Sequence, residues 1–185
     1  VMRTPLHDTH VKAGGRMVPF SGWEMPIQYS SILAEARAVR STAGLFDVSH
    51  MGRLEISGNG AQALLDKTLI IKASNLKLGQ ARYNVICTER GGIIDDTIVY
   101  RYDKERFLLI PNAGNRENVI EWLHSSAPDR SNVQIRDITL QFSMIAHQGP
   151  QSEMMLQKLT SGDLANLKPF HLINTSLAGV DSVVA

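Results

Sequence analysis

The stretch Gly91-Gly92-Ile93-Ile94-Asp95-Asp96-Thr97-Ile98-Val99-Tyr100 sets two glycines directly before an apolar strand. Paired glycines between strand-like runs mark a hairpin, because glycine enters a positive-φ turn at little cost. The run before it, Tyr83 to Thr88, and the run after it, Phe107 to Ile110 behind a short turn at Asp103-Lys104, give three consecutive strands with no helix between them. Outward from this core, Gly52, Leu54 and Ile56 alternate with Arg53, Glu55 and Ser57 as a half-buried strand. Ser57-Gly58-Asn59 turns into a helix carrying Ala61, Leu64, Leu65 and Leu69. Asn112 opens a second helix with Val119, Ile120 and Leu123 on one face, and Val133 and Ile135 mark a last strand. The order over 51–138 is therefore β-α-β-β-β-α-β. It predicts an α+β fold, a ferredoxin-like unit of two helices on an antiparallel-rich sheet, with one extra strand.

Gly58-Asn59-Gly60-Ala61-Gln62-Ala63 fits the dinucleotide fingerprint G-x-G-x-x-G/A and lies between a strand and a helix, with Glu89 closing the next strand. The strand ahead of it alternates polar and apolar, whereas a central parallel strand is apolar throughout. The next connection is a hairpin rather than a crossover helix, so an ordinary strand-to-helix turn is the better reading. The flanks of this unit differ from it. The first fifty residues hold Gly14-Gly15, Pro19, Gly22 and Pro26 and read as a loop-rich arm with one helix, Ser31 to Ser41, capped by Ser30 or Ser31. Gln141 to Ala146 begins a new strand, Gln148-Gly149-Pro150 turns into a short helix near Glu153 to Leu159, and Ser176 to Ala185 reads as a hairpin heading into a strand. Residues 1–50 and 139–185 are expected to pair as an incomplete antiparallel β domain into which 51–138 is inserted.

The 185 residues carry 19 Lys and Arg against 18 Asp and Glu, a net charge of +1, which gives no electrostatic footprint for nucleic acid or an anionic membrane. No apolar run approaches the roughly 20 residues of a membrane span. A hydrophobic fraction of 43% with 20% charged residues places the chain among globular rather than disordered sequences. One cysteine, Cys87, excludes an internal disulfide or a thiolate zinc cluster, and its apolar surroundings Val85-Ile86 suggest a buried thiol. His7 and His10 have ligand-like spacing, but no third partner follows at ligand spacing and no metal is expected. No G-x-S-x-G elbow occurs.

Two clusters carry chemistry. Asp95 and Asp96 sit inside an apolar strand, and adjacent strand residues face opposite sides, so they cannot share a proton as a dyad. The alternation groups Asp95 with Ile93, Thr97 and Val99, and Asp96 with Ile94, Ile98 and Tyr100. A carboxylate among such neighbours either caps a nearby turn or serves as a ligand-facing base or acceptor. Phe46-Asp47-Val48-Ser49-His50-Met51 is the other cluster. Ser49 and His50, being adjacent, are poorly placed as nucleophile and base; a junction with Met51 as an apolar floor for a flat ligand fits better.

Thr4-Pro5-Leu6, Gly22-Trp23-Glu24-Met25-Pro26, Ala38-Val39-Arg40, Gly44 through Gly52, Gly91 through Asp96, Asn112 through Glu117, and Gln148-Gly149-Pro150 occur together in order. Jointly they resemble the amino-terminal half of the glycine cleavage system T-protein family, the tetrahydrofolate-dependent aminomethyltransferases. The resemblance implies a T-protein-like fold, with an interrupted first folate-binding domain, the inserted ferredoxin-like domain, and a carboxy-terminal β-barrel-like domain that is absent here. It implies transfer of the methylene of an aminomethyl group, carried on the lipoyl arm of an H-protein, to tetrahydrofolate with release of ammonia. By family likeness Asp96 is the key acidic residue at the folate. Met51, Tyr83 and Asn112 match positions lining the pterin. No metal, nucleic acid or membrane is implied, and the compartment would be the cytoplasm of a bacterium or the mitochondrial matrix of a eukaryote.

The family's R-T-G-Y-T-G-E-D-G segment, which brings a glutamate to the folate, is expected just after Ala185. Ile70-Ile71-Lys72-Ala73 stands where the family usually has Thr-Asn-Asp, His147 replaces a small or apolar residue, and Pro111 precedes Asn112. Two other readings remain. One is a non-catalytic folate-binding module, although the cysteine motif of such factors is missing around Cys87. The other is the folate domain of a fused dimethylglycine or sarcosine dehydrogenase.

Overall fold

The amino-terminal fifty residues, expected as a loop-rich arm with one helix, carry four strands and two helices: β1 (Met2–Arg3), α1 (His7–Lys12), β2 (Arg16–Phe20), β3 (Trp23–Gln28), α2 (Ile32–Ser41) and β4 (Gly44–Asp47). Prolines hid the strands, since Pro19 and Pro26 lie inside β2 and β3 and remove ladder donors. β3 pairs parallel to β1 only at Trp23 and Glu24, which leaves Pro26 on an open edge, and antiparallel to β2. Ser21 and Gly22, at φ 47° and 83°, make the hairpin between β2 and β3.

A six-residue helix such as α1 is marginal alone. It is held by its two buried histidines. His10 Nε2 lies 2.8 Å from Asp47 Oδ2 and its Nδ1 2.7 Å from Tyr29 Oη, both at hydrogen-bond distance. His7 Nε2 lies 3.1 Å from Glu24 Oε2. The Asp47 carboxylate also takes Thr4 Oγ1 at 2.6 Å and Ser49 N at 2.9 Å. Burial pushes its pKa up, but these hydrogen bonds outweigh burial and hold it below the usual value.

The computed structural model describes residues 1–127 and 132–185. It divides into two units, Val1–His50 with Leu140–Leu167 and Ile173–Val184, and Met51–Thr139 with Lys168–Leu172. The second unit contains β5 (Leu54–Ser57), α3 (Ala61–Thr68), β6 (Ala81–Cys87), β7 (Ile93–Arg101), β8 (Arg106–Pro111), α4 (Arg116–Ser126) and β9 (Gln134–Asp137). Its five strands run β6-β7-β8-β5-β9, every pair antiparallel. The order β7-β8-β5-β9 is that of a ferredoxin-like sheet, and β6 is the extra strand, added at the β7 edge. Leu54, Ile56, Leu64, Leu65, Val99 and Phe107, all at most 1% exposed, belong to the core beneath α3 and α4.

The opposite face of β5 carries Glu55, 4% exposed, between Arg106 and Arg136. Lys168–Leu172 joins this unit as Phe170 O accepts from Ala81 N at 2.7 Å and Leu172 N donates to Gly79 O at 2.9 Å. The suspected fingerprint is a turn. Gly58 sits at φ 103°, and a Cβ there would collide with the Asn132 carbonyl. Its glycine is required by close backbone approach and a left-handed φ, and the strand before it is antiparallel to both neighbours.

The chain then forms β10 (Ile145–Gln148), α5 (Ser152–Gln157), β11 (Ile173–Leu177) and β12 (Val180–Val184). β10 pairs antiparallel with β4, and β11 and β12 form a hairpin around Ala178 and Gly179 at φ 52° and 83°. The strand expected from Gln141 starts only at Ile145. Asp137 Oδ1 accepts from Thr139 N at 2.9 Å and turns the chain, and Met144 N donates to Ser49 Oγ at 2.9 Å rather than to a ladder. Among the described residues no helix is long and apolar enough to cross a membrane.

Gly58→Ala is expected to destabilise the protein by about 3 kcal/mol or more in urea unfolding, because strain and collision add. Gly91→Ala, with φ 80° but nothing within 4 Å of its Cβ, should cost only roughly 1–2 kcal/mol; equal losses would contradict this account. For Glu55, burial raises the carboxyl pKa, and hydrogen bonds from Arg136 and Arg106 overcome that rise and lower it. A depressed folded-state pKa stabilises above the unfolded carboxylate value and is lost as pH falls through the folded one. The stability gap between wild type and Glu55→Gln should therefore narrow from pH 7 to below about pH 4, measured by urea unfolding at each pH.

Candidate functional site

The register of β7 builds the site. Tyr83 on β6 is paired with Ile98, and Val85 with Asp96, so Tyr83 and Asp96 are diagonal neighbours on the sheet face away from the helices. An aromatic side chain spans that diagonal, and Tyr83 Oη donates to Asp96 Oδ2 at 2.8 Å. On the other side Thr97 pairs with Pro111, which sets Asn112, the next residue after β8, beside Asp96. Asn112 Nδ2 donates to Asp96 Oδ1 at 2.9 Å. Tyr83 is 52% exposed and Asp96 is also exposed, so this carboxylate is fixed by two side chains yet open to a ligand.

Of the four residues singled out from the sequence, hydrogen bonds thus join Tyr83, Asp96 and Asn112. Met51 stands at the same end of the sheet without joining that network: its neighbour Gly52 donates N–H to Pro111 O at 2.9 Å. A Cβ on Gly52 would lie 2.6 Å from Pro111 Cγ, so glycine keeps this approach possible. Met51 itself is half-buried, and its carbonyl accepts from Arg53 Nη1 at 2.6 Å.

Of the alternatives weighed for the paired aspartates, the turn cap occurs on Asp95, while Asp96 stands exposed. Asp95, 3% exposed, caps the turn after β8: Asn112 N donates to Oδ2 at 2.7 Å, and Asn112 Nδ2 and Asn115 Nδ2 donate to Oδ1 at 3.0 and 2.8 Å. Asp95 shares its buried face with Thr97 and Val99 as expected, but the isoleucines are exchanged. Ile93 is 74% exposed and Ile94 packs on the core, because the register shifts at Ile86 and Cys87 and reverses the alternation. Cys87, at that shift, is partly exposed rather than buried. Asn115 and Asn84 were not visible as site supports. Asn84 exchanges hydrogen bonds with both backbone groups of Ile71, at 3.0 and 2.6 Å, and so fastens the turn where the sequence departs from Thr-Asn-Asp.

In the other unit, Ser49 is 1% exposed and exchanges hydrogen bonds with the Met144 backbone, while the His50 ring meets Phe20 edge-on at 5.6 Å. His7 and His10 serve as anchors to carboxylates. Among the described residues no group of three or more His, Cys, Asp or Glu is placed to hold a metal.

A family model described as the GCVT N-terminal domain matches residues 6–185. The chain belongs to this family. The aminomethyltransferase of Symbiobacterium thermophilum is 44% identical over 98% of the chain and 50% of the relative, and that of Chlorobium luteolum 45% identical over 99% and 50%. The GCVT chain thus spans about half the length of the curated relatives it matches. The crystal structure of the glycine cleavage system aminomethyltransferase T from Bartonella henselae matches with a TM-score of 0.86 at 35% identity, over 93% of this chain and 47% of that one. A heterotetrameric sarcosine oxidase from Corynebacterium sp. U-96, 18% identical with a TM-score of 0.56, shares the fold. The α+β architecture expected from the sequence is the GCVT architecture.

The hydrogen bond to Asp96 raises the Tyr83 phenol pKa above its ordinary value, with burial and the Asp96 and Asp95 charges adding to it. Asp96→Asn removes that charge, so the Tyr83 midpoint should fall toward about 10, read at its Cζ by ¹³C NMR titration. An unmoved midpoint would show that the pair is not formed in solution.

Proposed function

We propose that the chain is the amino-terminal half of a tetrahydrofolate-dependent aminomethyltransferase of the glycine cleavage system. The observation that carries this is the exposed Asp96 carboxylate, held between Tyr83 Oη and Asn112 Nδ2 in a member of the GCVT family. Relatives named aminomethyltransferase support it. The proposed domains are an interrupted first domain, 1–50 with 139–185, and an inserted second, 51–138.

In the proposed reaction the methylene carbon of a lipoyl-bound aminomethyl group exchanges its bonds to nitrogen and sulfur for bonds to folate N5 and N10. The two folate N–H protons are balanced by those gained on ammonia and on the released lipoyl thiol. Asp96 takes a proton or hydrogen bond from the folate amines, orients the attacking nitrogen and offsets the positive charge that develops on it. Tyr83 packs against the ring, Asn112 bonds it through its amide and Met51 provides an apolar floor. The partners are the lipoyl-carrying H-protein and tetrahydrofolate. In a bacterium, the source of the relatives named above, this reaction belongs to the cytoplasm; in a eukaryote it would belong to the mitochondrial matrix.

Asp96→Asn in the full-length protein should lower formation of 5,10-methylenetetrahydrofolate from aminomethylated H-protein by about 10²-fold or more, with unchanged circular dichroism. Wild-type turnover by that variant would overturn the reading.

A further inference from the structure

Asp95 is buried, and its described partners are all neutral donors: Asn112 N, Asn112 Nδ2 and Asn115 Nδ2. A buried carboxylate without a cation is a costly way to cap a turn, which a neutral acceptor also does. What the carboxylate adds is acceptor character on both oxygens. Asn112 Nδ2 has two protons, and carboxylate oxygens stand at 3.0 Å (Asp95 Oδ1) and 2.9 Å (Asp96 Oδ1), with the Asp96 carbonyl farther away at 3.3 Å. Turning the amide over would set its oxygen against two carboxylates. Asn112 is half-buried and its Oδ1 accepts nothing from the described residues, so it is left as an available acceptor.

We propose that Asp95 is a positioning residue: it locks the main chain and the amide of Asn112, so that the site presents an oxygen, never an N–H, to the donor edge of the bound ring. This rests on the folate reading given above. Asp95 holds Asn112 at two atoms, and it holds the turn bearing Asn112 through Asn115. Asp96, which is exposed, is thereby left to face the ligand. The class of ligand favoured is a flat heterocycle offering ring or exocyclic N–H groups along one edge.

Two measurements separate this role from a merely structural one. In the 185-residue chain, both Asn112 side-chain amide protons should exchange slowly with solvent, read by NMR, and Asp95→Asn should speed the exchange of the proton held by Asp95 about ten-fold or more. An unchanged exchange rate in that variant overturns the proposal whatever the protein's activity. In the full-length protein, Asp95→Asn should raise KM for tetrahydrofolate about ten-fold with kcat within about three-fold, since a binding contact is lost. Added to Asn112→Ala it should change KM by less than about two-fold, because both act through one amide. Full additivity overturns positioning while leaving the folate site intact. Loss of the slow exchange with an unchanged KM overturns the folate role of Asn112, and the proposal with it. If Asp95→Asn fails to fold, Asn115→Ala removes one of the bonds on Asp95 and should raise KM several-fold, again with no effect beyond Asn112→Ala; no rise overturns the proposal.

Discussion

The pairing of β7 with β6 on one side and β8 on the other sets the positions of Tyr83, Asp96 and Asn112. A one-residue slip would turn Val99 out of the core, bring Asp96 in among apolar side chains and leave Asp95 outside. The cost of that slip is both hydrophobic and electrostatic. The donors that satisfy a buried carboxylate, Asn112 N and the two amide side chains, stand only where Asp95 now lies. The burial of Asp95 therefore helps to specify the register that exposes Asp96.

The sheet face away from the helices is organised in rows across the strands. Tyr100, Leu108, Glu55 and Arg136 are successive cross-strand partners, with Arg106 completing the ion cluster on Glu55. The next row holds Tyr83, Ile98 and Ile110, and the next holds Asp96 beside Asn112. One end of the face thus neutralises its carboxylate with two guanidinium groups, and at the other the described partners of the carboxylate are a phenol and an amide. The first arrangement secures the fold against acid only down to the depressed pKa of Glu55. The second leaves its carboxylate exposed.

Much of the second unit was legible because its signals are local. Two glycines turn β6 into β7, the polar–apolar alternation of β5 is intact, and the helix faces of α3 and α4 follow the 3.6-residue period. The amino-terminal arm was not legible, because its order comes from contacts far apart in sequence: Thr4 and His10 both reach Asp47, and Tyr29 reaches His10. Its short strands contain prolines that local rules assign to loops. At the site, alternation established that Asp95 and Asp96 face opposite ways. It did not settle which was buried, since Ile93 and Ile94 look alike and a register shift exchanged them. Family likeness, rather than periodicity, pointed to Asp96, Tyr83, Asn112 and Met51. The supporting Asn115 lay unmarked within a recognised motif.

The role proposed for Asp96 suits a strand better than a loop. A group that must accept a proton or hydrogen bond from a ligand has to be exposed, yet an exposed carboxylate on a flexible segment has no fixed direction. Here period-two alternation places a buried anchor directly beside an exposed acceptor. Asn112 spans both with the two protons of one amide. Among the described residues the donors to the anchor are all neutral, so no cation there offsets a negative charge at the exposed carboxylate beside it. A cation in place of Asn115 would have stabilised Asp95 more strongly and would also have drawn down the field that the role proposed for Asp96 requires.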